Sequence, residues 1–195
     1  MTKKLKTTLL LTLLLTLITA CTTTPAPTPT LTPTSLPPTA APFERSNPTL
    51  PLAEARTVAE GGYTFQPVLG SIVSLNGPQA VVSDKDENAF VFLSSNPSNG
   101  NTVIVALDSF LEALTNDVGP LESSPPYSFN IAGQPGTAVD VTGDFLGDAM
   151  DGRIAVVPMP DGRLFVIYGF AINGYWTGDG ELLFESVSGS VTFTP

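Results

Sequence analysis

Four aspartates, Asp140, Asp144, Asp148 and Asp151, fall close together in a stretch that also holds Gly143, Gly147 and Gly152. Carboxylates separated by glycine could ligate Ca²⁺, which takes about six to eight oxygen ligands. The spacing matches no calcium loop, and turn-forming aspartates on a solvated loop account for the same residues. A second stretch, Asp84-Lys85-Asp86-Glu87-Asn88, opens like an EF-hand loop. Ala89 then stands where such a loop turns on glycine, and Ser95 where it needs a bidentate Glu; a charged strand connection is the plainer reading. A pair of carboxylates could also hydrolyse a glycan, but nothing in the sequence fixes a separation between any two. Trp176, next to Tyr175 and between Gly174 and Gly178, could stack on a sugar, anchor a partner, or pack a helix onto a sheet. Gly133, Gly136, Gly143 and Gly147 lack the strand–loop–helix setting of a nucleotide fingerprint.

Other chemistry is excluded by composition. The chain has no histidine, and its one cysteine is Cys21. An intrachain disulfide, a Cys/His zinc site and a Ser-His-Asp triad are therefore impossible. No cofactor is expected, and no catalytic or metal-ligating residue is assigned. Eighteen acidic residues face eight basic ones, and three of the eight, Lys3, Lys4 and Lys6, lie in the first 20 residues. The remainder, with five basic residues, carries a net charge of −13. Nucleic-acid backbones need clustered Lys and Arg, so no nucleic-acid partner is expected. Electrostatic adhesion to anionic lipid is disfavoured for the same reason.

The N-terminus carries the most specific pattern. After the three lysines, an apolar run from Leu9 to Ala20 has the length of an export-signal core and is too short to span a bilayer. Leu17-Ile18-Thr19-Ala20-Cys21 resembles the bacterial lipobox. The resemblance implies that residues 1–20 are removed and that Cys21 becomes the lipid-modified first residue. It further implies a protein on the extracytoplasmic side of a cell membrane, held to the bilayer through Cys21. Two or three acyl chains on Cys21 would hold it durably, since one chain binds only marginally. Residues 22–52 contain nine Thr and nine Pro, too little apolar matter to offset ordering entropy. Residues 21–52 are thus expected to be a disordered tether, reaching up to about 90 Å if extended as polyproline II.

The residues singled out above must be positioned by a single domain over 53–195. Tyr63–Phe65, Ser71–Leu75, Gln79–Ser83, Ala89–Ser94 and Thr102–Leu107 alternate or run as strands. Ser109 followed by Glu112 fits a capping box, and Phe110, Leu111, Leu114 and Val118 follow at helical spacing until Gly119-Pro120. Strands are expected over Tyr127–Ala132, Ala138–Thr142, Arg153–Pro158 and Arg163–Ala171, with a tight hairpin at Asp161-Gly162 whose turn needs positive φ. A short last helix spans Glu181 to Val187, and a closing strand spans Ser190–Thr194. An α+β domain follows: an antiparallel β-sheet flanked by helices.

Several of these segments fit one family. They are Gly61-Gly62-Tyr63-Thr64-Phe65, the capped helix Ser109–Val118, Ile131-Ala132-Gly133-Gln134-Pro135-Gly136, a Gly-Arg strand and an Asp-Gly-Arg hairpin. The closing Phe184-Glu185-Ser186-Val187 and Ser190-Val191-Thr192-Phe193 complete the set. Over residues 61–194 the chain resembles the Mog1/PsbP-like superfamily, an α/β/α sandwich on an antiparallel sheet. That superfamily includes a Ran-binding factor, photosystem subunits and bacterial lipoproteins. The resemblance implies a noncatalytic binding or assembly module. A monomer is expected, with a protein or envelope component as partner. The other class left open is a carboxylate- or metal-dependent hydrolase acting on envelope glycans.

Overall fold

A computed structural model describes residues 49–145 and 147–194; Cys21 and the rest of the chain up to residue 48 lie outside the described residues. The strands are β1 (Arg56–Val58), β2 (Tyr63–Phe65), β3 (Ile72–Asn76), β4 (Gln79–Ser83), β5 (Ala89–Pro97), β6 (Leu121–Ser123), β7 (Tyr127–Ile131), β8 (Gln134–Phe145), β9 (Asp148–Pro158), β10 (Arg163–Ile172) and β11 (Thr192–Phe193). Among the described residues, two α-helices, α1 (Val103–Val118) and α2 (Glu181–Gly189), complete the elements, with one π-type turn at Trp176–Gly180. The main sheet has the order β3-β4-β5-β10-β9-β8-β6, and β7 also pairs with β8; β1-β2-β11 form a small sheet. All the pairings are antiparallel.

The central strands are apolar on both sides because both faces of the sheet are covered. Val156, Val166, Tyr168, Phe170, Phe90 and Phe92 face α1, which contributes Leu107 and Leu114. Ala155, Val157, Phe165, Ile167, Val91 and Leu93 face the other way, onto α2 and the small sheet through Phe184, Val187, Tyr63 and Phe65. Helix α2 sits close on the sheet because Gly169 has no side chain; a Cβ there would collide with the Phe184 ring. Trp176 is buried in this second core, 6.0 Å from Phe184 between ring centroids. It packs the last helix onto the sheet rather than facing a ligand.

Three expectations need correction. Thr102–Leu107 is not a strand. Thr102 is the N-cap of α1, its hydroxyl accepting from the Val105 amide, and Ser109 lies inside the helix instead of capping it. The β-branched run Thr102-Val103-Ile104-Val105 favours a strand locally. Burial of Val103, Ala106, Leu107 and Phe110 along one helical stripe overrides it. The glycine-rich stretch between Asp140 and Asp151 is not a solvated loop but the two arms of the long β8–β9 hairpin. At Asp161-Gly162 only Gly162 takes positive φ. The Met159 amide donates to Arg163 O and the Gly162 amide to Met159 O, so the turn is wider than a two-residue one.

Residues 50–53 lie alongside the segment before β3. Leu69 N donates to Pro51 O at 2.7 Å, Ala53 N to Pro67 O at 2.8 Å, and Leu50 N to the Ser186 hydroxyl on α2 at 2.9 Å. Among the described residues no helix is long and apolar enough to cross a membrane.

Candidate functional site

The acidic residues that looked like a possible ligand set are separated by the hairpin. Asp140 and Asp144 share a face of β8 but stand four residues apart, about 13 Å along a strand. Asp148 lies opposite Phe145, on the α1 face, while Asp151 lies opposite Thr142 on the α2 face. Asp144 accepts the Gly147 amide at 2.8 Å and so closes the hairpin turn. Among the described residues no three Asp, Glu, His or Cys side chains gather as a metal shell. The other acidic stretch is also committed locally: Asp84 accepts the amides of Asn88 and Ala89 at 2.6 and 2.9 Å, capping the β4–β5 turn.

Asp140 belongs to a different constellation. Arg153 lies directly across from it on β9 and points to the α2 face, with its side chain only 8% exposed. Its fork of donors reaches three carboxylates: Nε to Asp140 Oδ1 at 2.7 Å, Nη1 to Glu185 Oε1 at 2.6 Å, and Nη2 to Glu181 Oε1 at 3.2 Å. Glu181 and Glu185 are one helical turn apart on α2, the spacing that puts two side chains on one face. The Tyr127 hydroxyl donates to the same Asp140 oxygen at 2.9 Å. The guanidinium carbon lies 5.9 Å from the Tyr127 ring centre and 5.8 Å from that of Phe184, within cation–π range. Burial is the largest influence on Arg153 and opposes its charge. The Asp140 hydrogen bond and favourable electrostatics with Tyr127, Asp140 and Glu181 outweigh it, so its pKa lies above the ordinary value. The group is a fixed cation.

This arrangement binds β7, β8, β9 and α2 together. The three carboxylates converge on a permanent positive charge. Among the described residues, no buried side-chain nitrogen or oxygen lacks a hydrogen-bond partner. Two buried phenols, Tyr63 and Tyr168, are pushed above the usual tyrosine range by burial. Tyr63 donates to the carbonyls of Leu93 and Pro78 at 3.1 and 3.2 Å, and Tyr168 reaches Met150 Sδ at 3.4 Å.

A second arginine plays a similar part at the other end of the sheet. Arg163 pairs with Asp161 at 2.6 Å and donates from Nη1 to Glu60 O and to the Ser95 hydroxyl, at 2.8 and 3.1 Å. It ties the β9–β10 hairpin to the turn between β1 and β2. Gly62 makes room for it: its φ is +66°, and a Cβ there would collide with Arg163 Nη2. A shallow hollow between β6 and the β8–β9 hairpin gathers polar groups from both, lined by Glu122, Thr142 and Asp151 among others.

The overall fold recurs in solved structures. The domain has a Mog1/PsbP-like fold. It is similar to cyanobacterial PsbP from Synechocystis, with a TM-score of 0.53 at 15% identity over 76% of this chain and 96% of that one. It is similar to the Ran-binding protein Mog1p of Saccharomyces cerevisiae, with a TM-score of 0.50 at 13% identity over 71% of this chain and 88% of that one. A Bacteroides thetaiotaomicron protein matches at a TM-score of 0.50 and 11% identity, over 71% of this chain and 48% of its own. No family model matches the chain, and no curated protein matches it in sequence. At these identities the likeness concerns the fold.

From sequence, Arg153 stands only at the start of a strand. Two signals point to the constellation: one arginine in an otherwise apolar β-run, and a Glu pair at i and i+4 on the helix that must cover it. Cys21 lies outside the described residues.

Proposed function

We propose that this chain is an extracytoplasmic lipoprotein, anchored through Cys21, whose Mog1/PsbP-like domain is a noncatalytic module that binds a protein or envelope component. The observation that carries the noncatalytic reading is the closure of the Arg153 constellation. Asp140 and Glu185, carboxylates from β8 and α2, are both bonded to the same guanidinium. A hydrolytic pair needs one carboxyl that carries a proton and another free to act on water or sugar; here both are hydrogen-bonded to one permanent cation. The Ran-binding description of yeast Mog1p supports protein binding as a use of this fold. The tripositive N-terminus, the short apolar core and the lipobox-like Leu17–Cys21 support the anchor.

Two measurements test the reading. Metabolic labelling with a radioactive fatty acid should mark the chain, and Cys21→Ala should abolish the label. Incubation of the purified chain with peptidoglycan should release no soluble fragments above buffer. Release that disappears in Asp140→Asn or Glu185→Gln would overturn the noncatalytic reading in favour of the hydrolase.

A further inference from the structure

We draw no further inference here: the strongest candidate, the shallow hollow between β6 and the β8–β9 hairpin where Glu122 and Asp151 stand on either side of Thr142, rests on two carboxylates alone, and nothing in the structure shows what occupies it.

Discussion

The Arg153 guanidinium lies between strand β8 and helix α2, 2.7 Å from Asp140 on one side and 2.6 Å from Glu185 on the other. A buried cation shared in this way is a clamp whose value lies in what its removal would leave. Arg153→Ala would leave three neighbouring carboxylates without their common partner. Breaking a buried pair costs about 3–5 kcal/mol. Asp140 and Glu181 reach water here, so the expected loss is about 2–4 kcal/mol in urea denaturation. Arg153→Lys keeps the charge but not the three-way fork, and should fall between the alanine variant and wild type. Identical midpoints for all three proteins would show that something else holds α2.

Gly62 and Gly133 both have positive φ, but their surroundings differ. Alanine at either position strains the backbone by about 1–2 kcal/mol. At Gly133 the added methyl meets open space, whereas at Gly62 it meets the Arg163 guanidinium that bonds Glu60 and Ser95. Gly62→Ala should therefore cost more than Gly133→Ala, by about 1–2 kcal/mol, since it also displaces a set of charged hydrogen bonds. Thermal unfolding of the two variants side by side would measure the difference.

Asp161 supplies a pH test. Its side-chain bond to Arg163 holds its pKa below the ordinary carboxylate value. A carboxylate depressed in the folded state stabilises the protein above its unfolded pKa, and the contribution is lost as pH falls through the folded one. Asp161→Asn should thus be less stable than wild type at pH 7, and the gap should close toward about pH 2. The pair is solvent-exposed, so the gap at pH 7 should stay under about 1 kcal/mol. A gap that widens on acidification would contradict the assignment.

Helix α1 shows where local reading of the sequence stops. Its second half was legible from Phe110, Leu114 and Val118 and from the Gly119-Pro120 stop, because helical periodicity there agrees with helical propensity. Its first turn was not, because Val103-Ile104-Val105 favours a strand and only the packing of Val103 and Leu107 on the sheet decides otherwise. Thr102→Ala should therefore cost about 1 kcal/mol and Ser109→Ala almost nothing, the reverse of what a cap at Ser109 would give. Far-UV circular dichroism with chemical denaturation distinguishes the two. The central strands β9 and β10 were legible from their apolar runs. Short β1 and β6 were not, since each is three residues long and owes its pairing to a neighbour. The Arg153 constellation unites residues up to 58 positions apart, from Tyr127 to Glu185. No spacing rule connects a strand arginine to a glutamate pair on a distant helix before the topology is known.

The most direct test of the central claim is the mass spectrum of the N-terminal peptide of the protein purified from its membrane. The expected peptide begins at Cys21 and carries the added mass of a diacylglyceryl group, with residues 1–20 absent. A peptide that begins at Met1, or an unmodified Cys21 inside a longer N-terminal peptide, would contradict the lipoprotein assignment.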